Sequence, residues 1–209
     1  MELKDIAVLV PGRLNAHALE RIRAEFDCIE IASGDPSLVT PEIAGKVRGI
    51  AAMTVISADL MQALPKLEIV ANFGVGYDAV DAGHAGANGI MVTNTPDVLT
   101  DEVADTTIGL LLNTVRELSA SEAYMRAGHW TGKGNYRLTP LTMRGRTVGI
   151  YGMGRIGQAI ARRLEPFGVG IHYHNRSRAD GLAYTFHPTL VELARAVDTL
   201  IIVVPGGEA

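Results

Sequence analysis

Short apolar runs alternate with stretches in which apolar positions recur every three or four residues over most of the chain. Residues 6–10 read as a strand, and residues 15–25 have helical spacing at Ala18, Leu19 and Ile22, continued by Phe26. Residues 28–31 and 47–52 are again strand-like. Ser57 stands where an N-cap belongs, ahead of a helix over 58–64 that Pro65 ends, and residues 67–72 form an apolar run broken at Gly74. This alternation predicts a parallel sheet with helices on its faces. Such sheets bind ligands beyond the carboxyl ends of their strands, which draws attention to the turn after Asn72. Over 100–118 the spacing predicts one long helix. Asp101, Glu102 and Asp105 sit toward its start and Arg116 near its end, as the helix dipole favours, and Val103, Thr107, Leu110, Leu111 and Val115 form an apolar stripe. The helix is long enough to bridge two domains. Residues 128–146 are Gly-rich and polar, a loop, and a second set of alternating elements begins at Thr147. The expected fold class is therefore α/β with two parallel-sheet domains, residues 1–97 and 98–209.

At 209 residues the chain suits about one and a half average domains. With 47% hydrophobic and 20% charged residues and 23 glycines, it is a globular chain with many tight turns, not a disordered, collagenous or coiled-coil one. Its one cysteine, Cys28, cannot form an internal disulfide. The acidic start MELKDIAVLVPG lacks the basic segment of a signal peptide, and the longest aliphatic runs, such as 200–204, are strand-length; a cytoplasmic protein without membrane partners is expected. Charge is segregated. Residues 1–132 carry 9 Lys/Arg against 18 Asp/Glu, whereas residues 133–178 carry 9 against 1. The basic segment has few aromatics and contains a glycine-rich turn, which favours a small phosphate-bearing molecule over nucleic acid.

That turn is Gly152-Met153-Gly154-Arg155-Ile156-Gly157, directly after the strand 147–151 and before a helix with Ile156, Ala159, Ile160, Leu164 and Phe167 on one face and Gly168 closing it. A bare G-x-G-x-x-G is weak evidence in a glycine-rich chain; the strand before and the helix after supply the context that a dinucleotide site needs. Gly152 permits the tight turn, Gly154 admits a pyrophosphate, Gly157 lets helix and strand approach, and the helix N-terminus offers free N–H groups. The next strand, 170–174, ends in Asn175-Arg176-Ser177-Arg178. An NAD site normally has Asp or Glu about 20 residues after the glycines. A carboxylate there would repel a 2′-phosphate by up to about 4 kcal/mol at about 4 Å and an effective dielectric near 20. Asn175 removes that repulsion, and Arg176, Ser177 and Arg178 offer charge and donors, so NADP(H) is expected over NAD(H), with NAD(H) still open.

Four segments occur in one order: Asn72-Phe73-Gly74-Val75-Gly76-Tyr77-Asp78, Gly89-Ile90-Met91-Val92-Thr93-Asn94-Thr95-Pro96, Arg126-Ala127-Gly128-His129-Trp130, and the strand and glycine turn at 149–157. Together they resemble the D-isomer-specific 2-hydroxyacid dehydrogenases, especially the glyoxylate/hydroxypyruvate reductase branch. The resemblance implies a flavodoxin-like substrate domain and a Rossmann dinucleotide domain, the latter incomplete. It implies that the amides of Val75 and Gly76 take the carboxylate of a small 2-oxoacid. Thr100 would meet the nicotinamide half, Arg155 and Ile156 the pyrophosphate, and Val204-Pro205 the adenosine side. It implies hydride transfer between nicotinamide and C2 of the substrate, with an Arg, a His and an orienting Glu handling charge and proton. By family spacing all three would follow Ala209, so the expectation is a truncated chain or partial gene product that does not reduce a ketoacid by itself. A family-like homodimer arm is implied for the long helix.

No histidine in the chain is expected to substitute. His17 is on a helix, His84 and His129 in loops, and His187 precedes Pro188; His172 and His174 share a strand face without companions at metal-ligand spacing. Cys28 reads as a small buried hydrophobe and Trp130 as a packing anchor. Met53 and Thr54 could line a substrate pocket or be ordinary turn residues. A second function class is a non-catalytic nicotinamide-sensing interaction protein on the same fold; a formate or phosphonate dehydrogenase is a third reading.

Overall fold

The computed structural model describes residues 2–204, and contacts divide the chain into two units, Met1–Val98 and Leu99–Ala209. The first holds strands β1 (Ala7–Pro11), β2 (Asp27–Ile31), β3 (Val47–Ala52), β4 (Ile69–Asn72) and β5 (Met91–Thr93). All are parallel, in the order β2-β1-β3-β4-β5, the flavodoxin-like order. Helices α1 (Ala16–Glu25), α2 (Pro41–Lys46), α3 (Ala58–Gln62) and α4 (Ala82–Ala87) connect them. Each starts at a side-chain oxygen that accepts a first-turn N–H: Asn15 from Ala18, Thr40 from Ile43, Ser57 from Leu60 and Asp81 from His84. The core forms where Leu9, Ile50 and Val70 of the central strands meet Ile56, Leu60, Met61 and Leu64.

The second unit holds β6 (Thr147–Tyr151), β7 (Gly170–His174), β8 (Thr185–Phe186) and β9 (Thr199–Ile202), all parallel in the order β8-β7-β6-β9. Counting strands within the unit, this is 3-2-1-4, the first half of a Rossmann sheet. Helix α5 is Thr100–Arg116, α6 is Leu118–Arg126, α7 is Arg155–Leu164 and α8 is Leu190–Ala196. A capping box starts α8, with Thr189 Oγ1 accepting from Glu192 N and Glu192 accepting from Thr189 N. Gly149 explains how α8 lies so close to β6: a Cβ there would come within 3.0 Å of both Leu193 Cδ1 and Val197 Cγ2.

The single helix expected over 100–118 is two. Glu117 adopts the left-handed conformation (φ 52°), ending α5 and starting α6. A non-glycine residue there is strained by about 1–2 kcal/mol. Its carboxylate is held by Arg137 at 2.6 Å and by Tyr136 Oη at 2.9 Å, while Asn113 Oδ1 accepts from Ser119 N at 2.9 Å. Helix α5 falls within the second unit and packs on α7. The buried face also differs from the expected stripe. Ala104, Leu111 and Val115 are buried, with Ile108 and Leu112 half-buried, whereas Val103 and Leu110 are exposed. Both rows satisfy a helical period, and the small Ala104 lets α7 approach along the row that wins. Arg163 of α7 clamps the pair by reaching both Asp101 and Asp105 of α5. Among the described residues no helix is long and apolar enough to cross a membrane.

Candidate functional site

The glycine turn joins β6 to α7. Gly152 has φ 105°, and a Cβ there would lie 2.8 Å from Val203 O and 2.9 Å from Val204 Cγ1. A Cβ on Gly157 would overlap the Gly152 carbonyl oxygen and lie 3.3 Å from Ile150 Cγ2. These two glycines are thus demanded by the protein's own packing. Gly154 is different: its backbone is extended (φ −79°, ψ −157°), and nothing lies within 4 Å of where a Cβ would stand. The space there is open, so a phosphate could come close to the backbone. Gly154 is also the N-cap of α7 and, having no side chain, supplies no acceptor to the first turn of that helix. The residues present fit a dinucleotide pyrophosphate. Arg155 is exposed; the Ile156 side chain packs against the core, leaving its amide as the group that could face a phosphate.

Both polar backbone groups of Met153, inside the turn, are occupied. Its N–H donates to Asn175 Oδ1 at 2.7 Å, and its carbonyl accepts from Gln158 Nε2 at 3.3 Å. Asn175 therefore braces the glycine turn from the end of β7. The segment it begins is closed at the other end by the buried Tyr173. The Tyr173 hydroxyl accepts from Ala179 N at 3.1 Å and donates to Ala179 O at 3.3 Å. Arg176, Ser177 and Arg178 ride exposed on this tied bend, with Gly152 N donating to His174 O beside it at 3.0 Å. Thr100 is the first, half-buried residue of α5, and Val204 passes against Gly152. Pro205, expected beside it, lies outside the described residues.

In the first unit, Val75 and Gly76 lie past the carboxyl end of β4. Three successive carbonyls of this turn are tied back: Gly74 O accepts from Thr95 N at 2.9 Å, Val75 O from Asn94 Nδ2 at 2.7 Å, and Gly76 O from the buried Asn72 Nδ2 at 2.7 Å. In a planar trans peptide the N–H points opposite its carbonyl. The amides of Val75, Gly76 and Tyr77 are thereby turned away from the framework, and none of them donates to another described residue. Successive amides set this way make an anion-binding concavity. Sequence reasoning quoted Asn72 and Asn94 within their motifs without seeing this function; their bonds become visible only when β4 and β5 are paired.

The remaining candidates fall elsewhere. His172 Nδ1 and His187 Nε2 are 2.9 Å apart in stacked rings, and burial together with the charge of His187 pushes the His172 pKa down. His174 stacks on Tyr151 and its Nδ1 lies 2.9 Å from His187 O. Among the described residues no group of three or more His, Cys, Asp or Glu could hold a metal ion, and no histidine ring has a carboxylate partner. Cys28 is half-buried, and that burial pushes its thiol pKa up. Met53 is exposed and Thr54 half-buried beyond β3. Trp130, expected as a packing anchor, is 62% exposed and lines a groove with Tyr124, Met125 and Tyr136.

The NAD-binding domain of the D-isomer specific 2-hydroxyacid dehydrogenases matches residues 108–209. Glyoxylate/hydroxypyruvate reductase A of Arabidopsis thaliana is 37% identical over 206 residues, 97% of this chain and 65% of its own length. The solved NADPH-dependent glyoxylate/hydroxypyruvate reductase of Sinorhizobium meliloti, in complex with citrate, is 56% identical with a TM-score of 0.92, over 97% of this chain and 63% of that one. The same reductase in complex with NADP and malonate gives a TM-score of 0.90 over the same shares. The chain thus spans less than two thirds of the length of each of these proteins.

Proposed function

Since the chain belongs to the D-isomer-specific 2-hydroxyacid dehydrogenase family and carries its NAD(P)-binding domain, we propose that it serves as an NADPH-dependent reductase of a small 2-oxoacid, glyoxylate or hydroxypyruvate. The observation that carries this reading is the braced glycine turn, with open space over Gly154 and an amide, not a carboxylate, at position 175. Gly152, Gly154 and Gly157 and the first amides of α7 hold the pyrophosphate. Asn175 spends its oxygen on Met153 N–H, so what it has left to offer is a donor, and Arg176, Ser177 and Arg178 add charge and donors for a 2′-phosphate. Thr100 and Val204 border the same nucleotide, with Pro205 next in sequence. The bound dinucleotide would supply the hydride. The Val75 and Gly76 amides hold the substrate carboxylate. The family's acid and base are assigned to none of the described histidines, whose rings lack carboxylate partners.

The dinucleotide domain is assigned to residues 98–209 and the substrate domain to residues 1–97, a reading supported by the two contact units, whose boundary lies one residue further on, between Val98 and Leu99. The protein works in the cytoplasm as a homodimer, a reading supported by its single cysteine and by Leu110, Leu118 and Met125, apolar residues exposed on α5 and α6. Calorimetric titration of the chain with NADPH and NADH tests the cofactor. Binding of NADPH at least tenfold tighter supports the proposal, and a clear NADH preference or no binding overturns it. The sensor reading is separated by spectrophotometric assay of the full-length protein with glyoxylate and NADPH, where tight binding without turnover would favour it.

A further inference from the structure

We propose that Asn72 and Asn94 are positioning residues that set the substrate-carboxylate grip by fixing the peptide planes of the Gly74–Tyr77 turn. The inference rests on the reading above that Val75 and Gly76 receive a carboxylate, and adds what holds them ready. A loop of two glycines around one valine has no intrinsic reason to point three amides the same way, because each peptide can flip between two opposite orientations. Here each flip is opposed by a named donor. Asn94 Nδ2 fixes Val75 O and so turns Gly76 N–H outward; Asn72 Nδ2 fixes Gly76 O and so turns Tyr77 N–H outward; Thr95 N fixes Gly74 O and so turns Val75 N–H outward.

The supports are built to persist. Asn72 ends β4, is 7% exposed, and is positioned by the β3 ladder, where it stands opposite Ala52. A Cβ on Gly74 would come 3.2 Å from Asn72 Nδ2 and 3.4 Å from Gly76 O, so the turn folds tightly over the amide that holds it. Asn94 follows β5, and its neighbour Thr95 contributes the third anchor through its backbone. Replacing either amide by a group that cannot donate frees one carbonyl, lets that peptide flip, and presents an oxygen to the incoming anion where an N–H had been. Neither side chain need touch the substrate.

The test uses the 209-residue chain and oxamate, a small carboxylate carrying a carbonyl, followed through the backbone amide signals of Val75, Gly76 and Tyr77 by NMR. In the wild type these three signals shift together on titration. Asn94→Ala weakens oxamate binding roughly tenfold or more, the usual loss for one hydrogen bond to a charged group, while amide signals from β1 and β3 of the same unit stay in place and report an intact fold. Asn94→Asp separates positioning from mere packing. Its ionised carboxylate repels Val75 O at neutral pH, whereas the protonated acid can donate. Oxamate binding by Asn94→Asp, taken relative to wild type at each pH, is therefore expected to recover as pH falls, and that of Asn94→Ala to stay flat. Should both variants bind oxamate as the wild type does, or should Asn94→Asp fail to recover, the positioning role is refuted and the carboxylate site stands. Should oxamate leave the three wild-type amides unmoved, the carboxylate site itself falls and the positioning role with it.

Discussion

The three glycines of the β6–α7 turn should respond differently to alanine, because one is kept for a ligand and two for the fold. At Gly154 the backbone is already extended and the added methyl meets nothing within 4 Å. Lost chain entropy in the unfolded state favours alanine by about 0.4–1 kcal/mol. Alanine is a poorer N-cap than glycine by a similar amount, so stability should be unchanged within about 0.5 kcal/mol. NADPH affinity should nonetheless fall. The methyl stands where the pyrophosphate would approach the backbone and displaces it from the first-turn amides, and losing one charge-assisted hydrogen bond costs about 1.5–3 kcal/mol, roughly 10- to 150-fold in Kd. At Gly157 the methyl meets the backbone oxygen of Gly152 and the side chain of Ile150, neither of which is a flexible chain end. Overpacking of that kind costs typically about 1–3 kcal/mol, which lowers Tm by roughly 2–4 °C per kcal/mol in a chain of this size. Thermal unfolding by circular dichroism and calorimetric NADPH titration, on both variants and the wild type, decide the matter. If Gly154→Ala melts as early as Gly157→Ala, or binds NADPH as well as the wild type, the division of labour among the glycines is wrong.

Asn175→Asp keeps an acceptor for Met153 N–H but brings a negative charge beside the 2′-phosphate; NADPH affinity should drop at least tenfold, a small part of the about 4 kcal/mol ceiling for such a pair, with NADH affinity undiminished by calorimetry. His172 has its pKa depressed by burial and by His187. Its folded pKa thus lies below the unfolded value near 6.5, so the stability linked to its neutral form is complete above that value and fades as pH falls below it toward the folded pKa. Unfolding of His172→Gln by urea at pH 7 and pH 5 should show less acid destabilisation than the wild type, and an equal loss would refute the assignment. Leu110 is 61% exposed on α5, so Leu110→Glu should leave the unfolding free energy within about 0.5 kcal/mol of wild type while shifting sedimentation from dimer toward monomer; a wild type already monomeric refutes the dimer.

Much of the sheet framework could be read from the chain. Residues 47–52, 147–151 and 170–174 are apolar runs bounded by turn residues, and β3, β6 and β7 fall on those same bounds. The short elements α2, α4, α8 and β8 were not anticipated, since a helix of six or seven residues offers less than two turns of periodicity to detect. The break at Glu117 gave no sign because its strain is offset by Arg137 and Tyr136, about twenty residues away, and no glycine marks it. On α5, apolar residues on two faces left the period clear but the buried side undetermined. The candidate site divides the same way. The glycines that shape each turn are contiguous in sequence, whereas the side chains that brace them act over spacings of 19 and 22 residues, as Asn94 does to Val75 and Asn175 to Met153. Tyr173 looks like any strand aromatic until Ala179 folds back on its hydroxyl.

Because the groups aimed outward at residues 75–77 belong to the main chain, every amino acid but proline would bring the same amide to that place. A change at Val75 would reshape the room around a guest without loosening the hold on its charged end. Grip and selectivity can drift independently here, so a relative with another residue at this position could accept a bulkier acid while anchoring it as tightly.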